Sequence, residues 1–397
     1  MSAAVTPPLF SNPNNLYAAI DMGTNSFKLH IIQADPSTGK FLSLHRIKEP
    51  VLLGLSTSTT STASPSPIIS PNAQSRAISA LRKFSDVLNS SRIQDCRVVA
   101  TSAVREAANR KEFLDKVEEE VGMRVEVLSG EDEGKYVYLG VLQFVPYFEK
   151  VVLCIDIGGG STEFVVGCGG KVMYAASLRL GHVVLTQEFV RNGELVKMRE
   201  HVRNVIQESD LVEKVSSVGF EVAVGSSGTI RAIKKAVVRG YGSNRNQVDD
   251  GLLLGKDWCF SKEELSNVVE RLSEDESRMW KGKLFKRRSE FIFAGSVLLQ
   301  EIFGMLGIEG IDVSGYALGE GLITEKLAKV CEHYDLEENA RWRSVIDLSS
   351  RFNNNNKKKK DDEICCSMFS NREAATHLMF GIVQLLPFKR QLFILVL

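Results

Sequence analysis

Apolar positions along this chain follow two periods in turn, and the alternation predicts an α/β protein. Residues 73–89 carry apolar side chains at helical spacing, namely Ala77, Ile78, Leu81, Phe84 and Leu88. This spacing is typical of an amphipathic helix. Short apolar runs of β-type residues lie on either side of such segments, for example at 17–22 and 152–157. Strands that alternate with helices favour α/β layers over a β-sandwich.

The same patterns predict further elements up to about residue 327. In the first half we expect a strand at 97–103 that runs into a loop with Arg105, a helix at 110–121 that Gly122 ends, and a strand at 125–129. In the second half we expect a strand at 171–178, a long helical stretch over 183–215 and a strand–turn–helix unit at 220–237. Helices at 261–272 and 288–304 and a strand–loop–helix unit at 310–327 follow. Ser261 and Glu264 have the spacing of a capping box, which supports a helix start there.

Two segments of the chain repeat one pattern, at residues 17–32 and 152–167. Each has an apolar run that ends in Asp, a turn with Gly and Ser or Thr, and a second apolar run. Asp21 corresponds to Asp156, and the turn of the first copy contains Gly23, Thr24, Asn25 and Ser26. A hairpin tip with backbone N–H groups, hydroxyls and one carboxylate can hold a phosphate and a metal ion together. The repeat therefore predicts two related half-domains that face each other across a phosphate.

The second copy has the stronger signal, because three consecutive glycines follow its Asp. Glycines let the backbone approach a bound group closely. The phosphate cradle predicted here is formed by Gly158, Gly159, Gly160, Ser161 and Thr162. Asp156 and Glu163 flank the tip, so both carboxylates can reach one Mg²⁺ directly or through its waters, and Asp21 is a third candidate ligand. The alternative, an ordinary hairpin with charged ends, would not need three glycines.

A third turn and a nearby arginine add candidate anion ligands. The turn follows a strand and opens a helix, and it consists of Gly225, Ser226, Ser227, Gly228 and Thr229. Backbone donors at a helix N-terminus attract anions, although a tight structural turn would look the same. Arg105 lies in a predicted loop rich in small residues, and its guanidinium could bind a phosphate through two N–H groups.

Three carboxylates, Glu131, Asp132 and Glu133, enter a predicted helix between the two repeats. Acidic residues favour helix N-termini in any case. A second interpretation makes one of them the general base that orients water against phosphorus. Spacing alone leaves open which of the three it is.

Charge and composition restrict the partners. Lys plus Arg and Asp plus Glu both number 49, so no global field attracts polyanions, and we expect no DNA partner. A local basic run at 281–288 contains Lys283, Lys286, Arg287 and Arg288; it is either a solvated helix face or a track for a polyanion. Seven cysteines without a CxxC pair, and no secretory signal pattern, favour a cytoplasmic protein. Pro387, Lys389 and Arg390 interrupt the last apolar run, so no membrane span is expected.

Six ordered blocks of the chain closely resemble the exopolyphosphatase / guanosine pentaphosphate phosphatase (Ppx/GppA) family. They are AAIDMGTNSFKL, ATSAVREAAN, LSGEDEG, CIDIGGGSTEFVVG, AVGSSGTIRAI and RRSEFIFAG, within residues 16–327. The resemblance implies two ribonuclease-H-like α/β domains of the sugar-kinase/actin-like superfold with a cleft between them. We expect a flexible leader at 1–15, a first domain at 16–138 with a Ser/Thr/Pro-rich loop at 56–71, a second domain at 139–327, and a truncated helical remnant with an irregular tail at 328–397.

The resemblance also implies an activity, the Mg²⁺-dependent hydrolysis of terminal phosphates from inorganic polyphosphate or guanosine pentaphosphate. It identifies Glu133 as the catalytic glutamate and Asp156 with Glu163 as the acidic metal pair. Asp21, Arg105 and the two later turns match phosphate-handling positions. A homodimer is one assembly that we consider. Two rival functions are a kinase of the same superfold and a non-catalytic sensor of these polyanions.

The chain departs from the family pattern at two arginine positions and at its C-terminal end. Leu52 and Gly319 stand where relatives tend to carry Arg. Loss of two guanidinium groups would weaken binding of a long chain or change which phosphate end is recognised. The His-Asp dipeptide of a further helical domain is also missing from the sequence.

Overall fold

The computed structural model describes residues 15–34, 41–54, 67–93, 95–143, 145, 147–242, 259–274, 285 and 289–331. The strands of these residues are β1 (Leu16–Met22), β2 (Ser26–Ala34), β3 (Phe41–Pro50), β4 (Asp95–Ala100), β5 (Glu126–Val127), β6 (Val152–Ile157), β7 (Thr162–Cys168), β8 (Lys171–Leu178), β9 (Val222–Ser226), β10 (Cys259–Ser261) and β11 (Gly310–Ser314). The helices are α1 (Pro71–Ser90), α2 (Ser102–Arg105), α3 (Arg110–Val121), α4 (Gly130–Leu142), α5 (His182–Glu188), α6 (Leu195–Glu208), α7 (Leu211–Val218), α8 (Gly228–Ala236), α9 (Lys262–Ser273), α10 (Ile292–Leu306) and α11 (Leu318–Val330).

The described strands form two sheets that repeat one topology. The first has the order β3-β2-β1-β4-β5, and the second has the order β10-β11-β9-β6-β7-β8. In each, the first three strands are antiparallel neighbours, and the next strand pairs parallel with the first. This duplicated order is that of two ribonuclease-H-like domains, as the family resemblance implies.

The repeat extends to the register of the two hairpins. Asp21 on β1 lies opposite Lys28 on β2, and Asp156 on β6 lies opposite Glu163 on β7. In both cases the Asp belongs to the second residue pair before the hairpin tip. The candidate site residues of the two hairpins therefore lie at the same end of each sheet.

Within the described residues, three hydrophobic clusters hold the layers together. One lies between the first sheet and α1 with α3, and a second lies between the second sheet and helices that include α6, α8 and α10. The third fills the space between the two sheets and contains residues of α4 and α11. Because α4 and α11 pack against both sheets, they join the two halves of the protein.

The helices α4 and α11 approach each other through glycines. A Cβ on Gly321 would lie 1.8 Å from the Tyr136 carbonyl oxygen, and one on Gly140 would lie 2.4 Å from the Ala317 carbonyl oxygen. No larger residue fits at these two positions without moving a backbone, so they fix the distance between the crossing helices.

Several predicted elements differ in extent from those of the structure. The strand expected at 97–103 ends at Ala100, and Thr101 begins the one-turn helix α2, so Arg105 lies in a helix and not in a loop. The helical stretch expected over 183–215 is divided into α5, α6 and α7, because left-handed backbone at Gly193 (φ 73°) and Asp210 (φ 56°) ends the helical path. The remaining predicted helices and strands are found close to their expected positions, and the Ser261–Glu264 capping box is present.

The domain limits stay a prediction, and the limit at 138/139 falls inside α4. The leader at 1–14, most of the Ser/Thr/Pro-rich loop (residues 56–66), the basic residues Lys283, Lys286, Arg287 and Arg288, and residues 332–397 lie outside the described residues. Pro71, counted with that loop in the sequence, is the first residue of α1. In the part of the chain that the structure covers, no helix has the length and apolar character to cross a membrane.

Candidate active site

A cleft opens between the two sheets, and both hairpin tips form its walls. Most of the predicted site residues line it, namely Asp21, Gly23, Thr24, Asn25, Ser26, Glu133, Asp156, Gly158, Gly159, Gly160, Ser161, Glu163, Ser227, Gly228 and Thr229. The fold therefore brings together three turns that lie far apart in the sequence.

The two hairpin tips touch each other across the cleft. A Cβ on Gly159 would lie 2.9 Å from the Thr24 Cβ, and one on Gly160 would lie 3.2 Å from the Thr24 hydroxyl oxygen. Larger side chains would separate the tips at both positions. The glycines of the second copy thus have a second role beside any phosphate contact, since they allow the two halves to close around a small volume.

Four predicted phosphate ligands do not line the cleft, and each has a structural partner in the protein. The Thr162 hydroxyl donates to the Leu180 carbonyl at 2.5 Å, and the Ser226 hydroxyl donates to the Tyr316 carbonyl at 2.8 Å. A Cβ on Gly225 would meet Ile230 at 2.7 Å, so its small size serves packing. Arg105 does not line the cleft either, and its partners are described below.

Glu133 enters the cleft because α4 begins against the second sheet. Ser129 caps the helix by accepting the Asp132 N–H at 3.0 Å. Gly130 and Gly134 let this first turn lie directly on β7 and β8: a Cβ on Gly134 would be 3.0 Å from Val165, and one on Gly130 would be 2.3 Å from Ser177.

Of the three candidate carboxylates, Glu133 is the one that lines the cleft. Asp132 accepts bonds from Ser129 and Lys135 near the surface, and Glu131 is exposed. The structure thus separates by position three residues that spacing could not distinguish.

Arg105 binds the Glu133 carboxylate. Its Nη1 donates to Glu133 Oε2 at 2.9 Å and to the Leu128 carbonyl at 3.1 Å, and its side chain is 16% exposed. The sequence predicted a phosphate ligand here. In the structure this guanidinium pairs with the Glu133 carboxylate where α2 and α4 meet, and its role as a phosphate ligand stays a prediction.

Burial and mutual repulsion raise the pKa values of three cleft carboxyls, those of Glu133, Asp156 and Glu163. Burial raises the pKa of Glu133 to about 7, against the opposing effect of Arg105. Burial also raises the pKa of Asp156 to about 7, with Lys28 opposing it and Asp21 adding to it. The pKa of Glu163 is raised well above its usual value by burial, and then by Glu133 and Asp156. Such a cluster gains stability when it binds a proton or a cation.

The carboxylates suit a magnesium ion that keeps part of its own coordination shell. Among the described residues, no group of three or more Asp, Glu, His or Cys side chains could hold a metal by itself. Asp21 is already paired with Lys28 Nζ at 2.7 Å. Mg²⁺ usually binds through one or two carboxylates together with waters and substrate phosphates. Asp156 and Glu163, opposite each other on β6 and β7, fit this mode.

Sequence reasoning missed four basic side chains of the cleft, those of Lys28, Lys48, His182 and Arg231. Lys28 could have been found, because it lies opposite Asp21 on the same face of a hairpin. Arg231 donates to the carbonyls of Ser227 at 3.1 Å and Gly315 at 3.0 Å, which places it beside the third turn. The His182 ring lies 3.2 Å from the Thr229 hydroxyl. Lys48 and His182 enter from other elements, so no local pattern marked them.

Leu52 and Gly319, the two positions where relatives tend to carry Arg, lie close to the cleft. The Leu52 N–H donates to the Asn25 carbonyl at 3.1 Å, which supports the first hairpin tip. Gly319 is in the first turn of α11, and a Cβ there would lie 4.0 Å from His30. Neither position carries a cation.

Comparison with known proteins identifies the family of this chain. The model of the Ppx/GppA phosphatase family matches residues 31–330. An exopolyphosphatase structure from Cytophaga hutchinsonii is 25% identical, covering 79% of this chain and 98% of that one with a TM-score of 0.66. The Ppx/GppA enzyme of Aquifex aeolicus is 26% identical, covering 78% and 98% with a TM-score of 0.60. These similarities confirm the actin-like arrangement of the two domains, and the chain belongs to the Ppx/GppA phosphatase family.

Proposed function

We propose that this protein is a phosphoanhydride hydrolase that releases terminal phosphate from inorganic polyphosphate or guanosine pentaphosphate. The observation that carries the proposal is the position of Glu133, whose carboxylate lies in a cleft between two hairpin tips rich in backbone and hydroxyl donors. Family membership supports a phosphatase, and an exopolyphosphatase is among the similar structures.

The hairpin tips orient the terminal phosphoryl group. The backbone N–H groups of Gly159, Gly160 and Ser161 and the hydroxyls of Thr24 and Ser26 are donors of the kind that bind phosphate oxygens. Donors fixed in advance stabilise the charge of the transition state at no cost of reorganisation during the reaction. Lys28 and Arg231 add positive charge to the same cleft.

Glu133 takes the proton of the attacking water. A general base works best when its pKa lies near the working pH, and burial raises the pKa of Glu133 to about 7. Arg105 holds the carboxylate at a fixed orientation through the 2.9 Å bond. Water attack in line with the leaving phosphate then needs little further chemistry from the protein.

Asp156 and Glu163 would hold Mg²⁺. When bound, the ion would neutralise phosphate charge at the site of attack. Because burial raises the pKa of both carboxyls, Mg²⁺ would bind them by displacing their protons.

The test is phosphate release from polyphosphate and from guanosine pentaphosphate, with Mg²⁺ and without an acceptor. We expect release by the wild type, loss of release with a chelator, and a decrease of about 10²–10⁴-fold in Glu133→Gln. Glu131→Gln is the matched control, because Glu131 belongs to the same helical turn and is exposed.

Three outcomes would contradict the proposal. Release by Glu133→Gln at the wild-type rate would exclude the role of Glu133. Transfer that needs an added acceptor would indicate a kinase. Tight binding of either polyanion without turnover would indicate a sensor.

A further inference from the structure

His182 connects two of the turns that form the cleft. It is the first residue of α5, and its backbone N–H donates to the Gly158 carbonyl at 3.1 Å. Its ring Nδ1 lies 3.2 Å from the hydroxyl oxygen of Thr229, at the start of α8. All three residues line the cleft. His182 therefore contacts the second hairpin tip through its backbone and the third turn through its side chain.

The start of α5 fixes the direction of two donors in the second hairpin tip. The Gly158 carbonyl accepts the N–H of His182, and the Gly159 carbonyl accepts the N–H of the next residue, Val183, at 3.0 Å. The C=O and N–H of one trans peptide point in opposite directions. The N–H groups of Gly159 and Gly160 therefore point away from α5, and both glycines line the cleft.

Gly181 lets α5 lie this close to the turn. A Cβ at this position would be 2.1 Å from the Gly159 carbonyl oxygen. A larger residue would push α5 away and release the carbonyls that it holds. The turn and the start of α5 thus form one packed unit.

The side chains of His182 and Thr229 are held in place by the segment that leads into α10. The His182 ring packs against the Phe291 ring, with 5.9 Å between the centroids and a tilt of 56°. A Cβ on Gly295 would lie 2.4 Å from the Thr229 methyl carbon and 3.4 Å from the His182 Cβ. Gly295 therefore leaves just enough space for both side chains, so their hydrogen bond has one geometry.

The direction of this hydrogen bond decides what the Thr229 hydroxyl offers to the cleft. A neutral imidazole nitrogen either donates or accepts, and a hydroxyl does both. When Nδ1 donates, the Thr229 oxygen accepts this bond and its own O–H can donate to a phosphate oxygen. An anion in the cleft favours this arrangement, because hydrogen bonds to ionised acceptors are the stronger ones.

We propose that His182 is a positioning residue that turns the Thr229 hydroxyl towards the terminal phosphoryl group. Through its backbone it also ties this donor to the N–H groups of the second hairpin tip, so the two turns of the second sheet act on one group. The inference rests on the proposed function, because it needs a phosphoryl group between these turns. Both candidate substrates end in the same group, so His182 should affect both equally.

The test uses variants that separate the ring from the backbone. His182→Ala removes the bond to Thr229 and retains the backbone bond to Gly158. His182→Asn keeps an amide donor close to the position of Nδ1. His182→Leu keeps apolar packing on Phe291 without the bond, and it replaces His182→Ala should that variant not fold.

Thr229→Val, alone and combined with His182→Ala, completes a double-mutant cycle. His201→Asn is the matched control, because His201 also packs against a phenylalanine ring, that of Phe189 at 5.2 Å, and lies outside the cleft lining. We measure kcat and KM for polyphosphate and guanosine pentaphosphate, the melting temperature, and the affinity for inorganic phosphate with Mg²⁺ by calorimetry.

We expect His182→Ala to lower kcat/KM by about fivefold to tenfold for both substrates, the effect of one hydrogen bond. Its affinity for inorganic phosphate should fall as well. His182→Asn should recover most of both losses, and His201→Asn should behave as the wild type. The double variant should lose no more than Thr229→Val alone, because His182 acts through Thr229.

Three results would overturn the inference: losses that multiply in the double variant, a loss in His182→Asn as large as in His182→Ala, or factors that differ between the two substrates. Failure of the proposed function has a different signature, which is a wild type that releases phosphate from neither substrate. Calorimetry with inorganic phosphate then decides. Binding that His182→Ala weakens and His182→Asn restores would support the role of His182, and absent or unchanged binding would refute it.

Discussion

Arg105 donates from Nη1 to Oε2 of Glu133 at 2.9 Å, and the same nitrogen donates to the Leu128 carbonyl at 3.1 Å. The guanidinium therefore has a fixed place behind the carboxylate, with 16% of the side chain exposed. A positive charge there stabilises the deprotonated form of Glu133 and partly offsets the effect of burial. The pair sets both the orientation and the proton affinity of the proposed base.

Replacing Arg105 should move the pH dependence of hydrolysis. In Arg105→Gln the pKa of Glu133 should rise above its value of about 7, because the charge that lowers it is gone. The acid limb of a kcat/KM profile should shift to higher pH. Arg110→Gln is the control, since Arg110 is exposed and its Nη1 donates to the backbone carbonyl of Arg105 at 3.3 Å. An unshifted acid limb with weaker substrate binding would assign Arg105 to the phosphate instead.

The wild-type enzyme should become more active as the pH rises through about 7. Glu133 acts as a base only when deprotonated, and its raised pKa of about 7 keeps it protonated at lower pH. The logarithm of kcat/KM should therefore increase with pH up to about 7 and then level off. A rate that is already constant from about pH 5 upward would contradict a base with this pKa.

Metal-free protein should lose stability as the pH rises. The folded-state pKa of Asp156 is raised to about 7, and that of Glu163 is raised well above its usual value. A carboxyl with a raised folded-state pKa stabilises the fold most below its unfolded pKa of about 4, and this stabilisation is lost as the pH rises through the folded value. The melting temperature of the metal-free protein should thus decrease as the pH rises from about 5 to about 8.

Glu163→Gln should reverse part of that loss at high pH. Gln has no charge for Glu133 and Asp156 to repel, and its amide oxygen can still accept the Ser177 hydroxyl, which contacts Glu163 at 2.9 Å. We expect a higher melting temperature than the wild type at about pH 8 without metal, and a smaller gain on adding Mg²⁺. Glu131→Gln should change neither value, and an equal rise in that variant would contradict the explanation.

The glycines between the crossing helices should not tolerate even a methyl group. Gly140→Ala and Gly321→Ala place a Cβ within 2.4 Å and 1.8 Å of backbone oxygens. Forcing α4 and α11 apart should lower the free energy of unfolding by about 1–3 kcal/mol. Gly304→Ala in α10 is the control: nothing lies within 4 Å of its Cβ position, and Ala should stabilise the helix by about 0.5–1 kcal/mol. Thermal or urea unfolding measures all three, and tolerance of alanine at Gly321 would refute this packing.

The elements that the sequence predicted well are those with local signals. The helix at 73–89 has an unbroken apolar stripe, and all five of its predicted apolar positions are buried. The capping box at Ser261 and the stop at Gly122 depend on residues within one turn. The continuous helical stretch predicted over 183–215 is divided into three helices in the structure. Its breaks, at Gly193 and Asp210, depend on single left-handed residues inside an otherwise helical pattern, which the apolar spacing does not reveal.

The sequence by itself determined the repeat, its two aspartates, the three turns and the family, because each is written in short runs of residues. Only the tertiary structure decided which side chains share the cleft. Glu133 differs from Glu131 and Asp132 through the packing of Gly130 and Gly134 on the second sheet, and Arg105 reaches Glu133 across 28 residues of chain. The position of Lys28 opposite Lys48 likewise depends on strand register. Contacts between distant segments depend on how whole layers pack, and no local pattern encodes that.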